Sequence, residues 1–127
     1  VGIDTKRIDG KIIPYVDGGK VKLEAKIIDL AKRAEDLGAG ELLLNSIDRD
    51  GCAVGYDLDC INLVADAVKI PVIACGGVGN FGHFFDCLTE GKAAAVAAGN
   101  IFHFTENSYR RAKKFLLSRG ANVRPFD

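Results

Sequence analysis

Three consecutive leucines, Leu42 to Leu44, run without a break into Asn45, Ser46, Asp48, Arg49, Asp50 and Gly51. An unbroken apolar run cannot be half exposed, so it predicts a strand covered on both faces. Its abrupt polar end places hydrogen-bonding and charged groups just past the carboxyl end of that strand. In α/β sheets and barrels this is where ligands bind and chemistry happens.

The layout recurs. Val1-Gly2-Ile3 stops at Asp4, Val72-Ile73-Ala74 at Cys75-Gly76-Gly77, and Ala94 to Ala97 at Ala98-Gly99-Asn100. Amphipathic segments lie between. Leu23 to Leu37 puts Leu23, Ile27, Leu30, Ala31, Ala34 and Leu37 on one face, with Gly38 as its stop. Asp57 caps a predicted helix to about Val68, with Ile61, Val64, Ala65 and Val68 inward. Further helices are expected over about Phe81 to Glu90 and about Ser108 to Arg119, the last capped by Ser108 and ended by Gly120.

Strand and helix alternate throughout, so the fold expected is α/β, with a parallel sheet of about four βα units in one domain, residues 1–127. A complete (βα)₈ barrel needs ~250 residues and ~200 at the least. The chain has 127 and begins with a strand already in progress. The count fits half of a TIM barrel, specifically the second half. The alternative is a small flavodoxin-like sheet, which rarely begins at the active-site end of a strand.

Charge and composition exclude several function classes. Lys plus Arg number 17 and Asp plus Glu number 17, so no net basic charge draws nucleic acid. No apolar run approaches the ~20 residues of a membrane span. Cys52, Cys60, Cys75 and Cys87 form no CxxC pair, and His83 and His103 stand at no ligand spacing. Neither a metal site nor a cofactor is expected, and reduced thiols fit a cytoplasmic protein.

Two constellations carry chemistry. Asp4 and Asp50 each follow a predicted strand at the same end of the sheet. Two carboxylates facing one pocket can divide acid and base roles, because neighbouring charge separates their pKa values. The alternative for each is a loop cap or an ion pair with Lys6, Arg7 or Arg49. Gly51, Gly76, Gly77, Gly79 and Gly99 form the second group. Glycine lets backbone N–H groups approach an anion closely, and barrels often bind phosphate at the loops after their last two strands. Two such loops on successive strands predict phosphate held by Gly76-Gly77 and Gly99-Asn100.

Val-Gly-Ile-Asp-Thr-Lys-Arg, Gly-Ala-Gly-Glu-Leu-Leu-Leu-Asn-Ser-Ile-Asp-Arg-Asp-Gly, Ile-Ala-Cys-Gly-Gly-Val-Gly and Ile-Phe-His-Phe resemble the C-terminal half of the HisF family, from Val1 to about Arg124. HisF is the (βα)₈ cyclase subunit of imidazole glycerol phosphate synthase and takes ammonia from a HisH-like glutaminase. The resemblance implies a catalytic role for Asp4, a place near substrate for Asp50, and a phosphate site at Gly51, Gly77, Ala98 and Gly99. It makes Glu41 a gate for ammonia at the barrel floor. The alternative for Glu41 is a strand-start carboxylate paired with a helix lysine.

Departures from the histidine-pathway pattern fall on lining positions. Asn45, close to substrate, replaces a usual threonine, Cys52 another, and Cys75 a usual serine. Ala-Ala-Gly-Asn is one residue longer than usual, and the hairpin Lys11 to Lys22 lacks the usual Thr-Gly. These features resemble the WbuZ glycosyl amidation branch. That branch implies ammonia delivery to a sugar nucleotide in surface polysaccharide (O-antigen) synthesis. Imidazole glycerol phosphate synthesis is the alternative, and an inactive, self-associating half barrel is a third.

Overall fold

The computed structural model describes residues 1–104 and 108–125. Its sheet has the order β3-β2-β1-β4-β5-β6. Strands β1 (Gly2–Ile8), β4 (Leu42–Ser46), β5 (Val72–Cys75) and β6 (Ala95–Val96) run parallel. Strands β2 (Lys11–Val16) and β3 (Val21–Lys22) fold back antiparallel on β1 as a hairpin. Helices α1 (Ile27–Asp36), α2 (Leu58–Ala65), α3 (Phe81–Thr89) and α4 (Tyr109–Ser118) complete a partial barrel.

Strand alternation sorts the sheet into two faces. Ile3, Thr5, Leu42, Leu44, Ser46, Val72 and Ala74 are buried. The apolar members share one core with Ile27 and Ala31 of α1, Ile61 and Val64 of α2, Phe84 and Cys87 of α3, and Ala112 and Leu116 of α4. Burying a leucine such as Leu42 contributes about 2 kcal/mol. The opposite face carries Asp4, Leu43, Asn45, Ile73 and Cys75, all half-buried. In a closed barrel this second face is the packed interior. The expectation that Leu42 to Leu44 is covered on both faces is therefore corrected: the four helices cover one.

Local chemistry fixes the helix ends. Asp57 accepts from the Cys60 amide, Asn80 from His83 and Ser108 from Arg111, so α2, α3 and α4 start where a side chain satisfies a first-turn N–H. Lys26 offers no such bond to α1. Leu23 donates its N–H to Pro14 across the hairpin, so the sheet claims it and α1 begins at Ile27 rather than Leu23. Gly38, at φ +93°, ends the helix, and Leu37 is left 78% exposed instead of facing inward.

Two strands differ from expectation. β1 does not stop at Asp4 but continues to Ile8, because the Asp9-Gly10 turn returns β2 alongside it. β6 is shorter than Ala94 to Ala97, although Ala94 and Ala97 still donate to Val72 and Ala74. No helix among the described residues is long and apolar enough to cross a membrane.

Candidate active site

Parallel register brings Asp4, Asn45 and Cys75 into one row across β1, β4 and β5, on the face the helices leave open. Asn45 donates from Nδ2 to Asp4 Oδ1 at 3.1 Å. Its own Oδ1 is buried without a hydrogen-bond partner. Asp4 thus has one carboxylate oxygen held and lies mid-strand, between β2 and β4. Two residues on, Lys6 places its ammonium 4.7 Å from the centre of the Tyr15 ring.

Asp50 is exposed in the turn after β4. That turn closes when the Arg49 and Asp50 amides both donate to Ser46 C=O, at 3.2 and 3.0 Å. Strand alternation ends at Ser46, so it does not order Asp48, Arg49 and Asp50. Burial pushes the Cys75 thiol above its usual pKa; Asp50 adds to this and Asp4 adds less, while a Gly76 hydrogen bond opposes them. Both candidate carboxylates therefore act on one thiol. Among the described residues neither Asp4 nor Asp50 makes an ion pair.

Arg7 instead pairs with Asp57. Nε meets Oδ2 and Nη2 meets Oδ1, each at 2.7 Å. The Arg7 amide donates to Asp48 Oδ2 at 3.0 Å, and Ser46 donates to Asp48 Oδ1. Both ends of the loop between β4 and α2 are thereby tied to β1. Sequence reasoning missed this clamp, because nothing local links Arg7 to Asp57.

The glycine loop after β5 is built by close backbone approach. Gly76 and Gly77 are buried with φ of +89° and +104°. A Cβ at Gly76 would meet Ser46 C=O, and one at Gly77 would meet Gly55 C=O. Gly55 donates to Gly77 C=O at 2.8 Å. The second predicted loop is different. Gly99 is exposed with nothing within 4 Å of its Cβ position, Ala98 is half-buried, and Asn100 opens a short 3₁₀ turn, Asn100–His103. Gly51, at φ +76°, is exposed beside Asp50. The buried Tyr56 hydroxyl donates to Ala97 C=O at 2.9 Å and ties the two regions together.

Glu41 precedes β4 at the opposite end of the sheet. Its side chain is exposed and forms no ion pair among the described residues, while its C=O accepts from the Val1 nitrogen at 2.9 Å. All four cysteines are free thiols. A cleft of about 400 Å³ lies away from the carboxylates, lined by Val96, Ala98, Phe84, Ala112, Leu116 and Lys113. It follows the open β6 edge of the sheet rather than the row of polar residues.

Residues 1–108 match the family described as "Histidine biosynthesis protein". The chain is 46% identical over 124 residues to "Imidazole glycerol phosphate synthase subunit HisF" of Chlorobium luteolum, covering 98% of this chain and 49% of that protein. It is 44% identical, with the same coverage, to the protein of the same name from Chlorobaculum tepidum. For that of Chlorobium limicola the identity is 45%, again with 98% and 49% covered. The chain thus spans about half the length of the curated relatives it matches.

Proposed function

Because the chain belongs to the histidine biosynthesis protein family, we propose that it forms the carboxylate-bearing and phosphate-gripping part of a HisF-like synthase subunit. In this reading the subunit uses ammonia from a HisH-like glutaminase on a phosphorylated sugar or nucleotide. The observation that carries it is the Asp4–Asn45–Cys75 row, set beside the buried glycines Gly76 and Gly77 at the same end of the sheet.

The residues divide the work. Gly76 and Gly77, with Gly51, Ala98, Gly99 and Asn100, offer backbone N–H groups to substrate phosphate. Asp4, held through one oxygen by Asn45, has its other oxygen available to take a proton from the adding nitrogen. Asp50 serves as the second carboxylate, in the exposed turn after β4. Glu41, at the far end of the strands, gates ammonia entry.

Two substrates are in contention. The printed names of the relatives favour imidazole glycerol phosphate formation. The departures at lining positions, Asn45 and Cys75 in place of a usual threonine and serine, are what supports amidation of a sugar nucleotide for surface polysaccharide. The test supplies the complete protein and its glutaminase with the histidine-pathway nucleotide and, separately, with sugar nucleotides. Imidazole glycerol phosphate as product decides for histidine synthesis. An amidated sugar nucleotide decides for the polysaccharide route. Failure of both, with glutaminase active and phosphate bound, rejects the synthase reading.

A further inference from the structure

His83, in the first turn of α3, sits behind both loops of the site. Its Nδ1 accepts the Gly79 N–H at 3.0 Å. Its own N–H is capped by Asn80 Oδ1 at 3.2 Å, which fixes where the ring starts. The ring lies 3.7 Å from the position a Gly55 Cβ would take. Gly55 in turn donates to Gly77 C=O, and Gly79 lies so close to Ala53 that no Cβ fits between them. The loop after β4, which carries Asp50, and the glycine loop after β5 therefore touch backbone to backbone. One imidazole bonds the glycine loop at Gly79 and lies on the side of Gly55 where a side chain would project.

We propose that His83 is a positioning residue that holds the glycine loop docked on the Asp50 loop. Through it, the anion-facing N–H groups and the loop carboxylate keep one relative placement. The docking stands on the contacts just described, and its consequence for anion binding rests on the phosphate reading above. The hydrogen bond from Gly79 uses Nδ1 as its acceptor, while Nε2 lies 3.3 Å from Asn80 Nδ2. Without that acceptor the Gly79 N–H turns to solvent, and the contact of Gly79 with Ala53 loses its support.

The test is residue-resolved amide exchange on the chain with His83, with His83→Ala and with His83→Asn. The asparagine carbonyl oxygen stands the same number of bonds from the backbone as Nδ1, so it keeps the acceptor. In His83→Ala, exchange at Gly79 and Gly55 should rise about fivefold, the scale of one neutral hydrogen bond. Core amides such as Val64 and Cys87 should stay unchanged, and His83→Asn should restore both glycines to within about twofold. Should His83→Ala not fold, His83→Gln, whose carbonyl reaches the Nε2 position, replaces it in the same comparison. Unchanged exchange at Gly55 and Gly79, or equal acceleration in the alanine and asparagine forms, overturns the proposal. Titration with inorganic phosphate then separates the two readings. Binding at Gly76 and Gly77 that weakens in His83→Ala and recovers in His83→Asn supports both. No binding to the parent chain rejects the anion reading, while the exchange data still decide the role of His83.

Discussion

Arg7 and Asp57 meet through two parallel hydrogen bonds of 2.7 Å across fifty residues of chain. Asp57 is 5% exposed and Arg7 27%, so the pair is largely desolvated and geometrically fixed. It also pushes the guanidinium pKa further up, chiefly through the Asp57 hydrogen bond. The pair links the far end of β1 to the start of α2, and the site loop is strung between them.

Removing one partner should cost more than an exposed pair would. Arg7→Ala is expected to lower unfolding free energy by about 2–3 kcal/mol, because it strands a buried carboxylate. Arg7→Lys keeps the charge but loses the fork, and should recover only part of that. Urea unfolding of the three forms measures it. An Arg7→Ala loss below about 0.5 kcal/mol would reduce the clamp to a surface ion pair.

Acid should loosen the same clamp. Burial raises the Asp57 pKa, but hydrogen bonds from Arg7 and the Cys60 amide outweigh it and hold the carboxyl below its usual range. The unfolded carboxyl titrates near ~3.9, so the unfolded chain binds the proton first. The stabilisation is fully present above that pH and is lost as pH falls through the folded value. Asp57→Asn should be less stable at neutral pH and show a flatter stability profile below pH ~4. Parallel profiles for the two forms would contradict this.

The two glycine loops should respond differently to a methyl group. Gly77→Ala adds a Cβ against Gly55 C=O at φ +104°, and should cost well over ~1 kcal/mol. Gly99→Ala, which meets nothing within 4 Å, should change stability by no more than about 0.5 kcal/mol. Thermal melts of both variants test the contrast, and equal effects would refute it.

In the complete protein Asp4→Asn should abolish ammonia incorporation while leaving folding intact. The amide oxygen can still accept from Asn45 Nδ2, so the row survives, but it cannot take a proton. A loss of ~10²-fold or more is the expected scale. Activity within a few-fold of the parent would remove Asp4 from the mechanism.

The chain by itself is expected to self-associate, most simply as a two-fold dimer. The face bearing Leu43 and Ile73 has no helix over it among the described residues, and β3 and β6 are open edges. Light scattering that shows a monodisperse monomer at high concentration would count against this.

Much of the scaffold was legible in the residues because its signals are local. Asp57 and Ser108 announce helix starts, and Gly38 and Gly120 announce ends. The apolar runs before Asn45 and Cys75 locate β4 and β5. The length of β1 was not legible: Thr5, Lys6 and Arg7 are polar, and only pairing with β2 makes them strand. Nor was His83, since its bond to the Gly79 amide follows from a loop shape that no residue spacing encodes. Asp4 and Asn45 stand 41 residues apart, and strand register alone makes them neighbours.

Asp4 and Asp50 differ in how much freedom each keeps. The backbone of Asp4 is paired on one side to Tyr15 and on the other to Asn45. Only its side-chain torsions remain to be fixed, and one carboxylate oxygen is already engaged. Asp50 rides on an exposed turn. The Asp50 backbone is held by a turn bond to Ser46 C=O rather than by two strands, so a reaction that needs both carboxylates has more left to order at Asp50 than at Asp4. Ligand affinity should therefore carry an entropic signature that belongs to one carboxylate and not the other, and stiffening the turn around Asp50 is the direct way to change it.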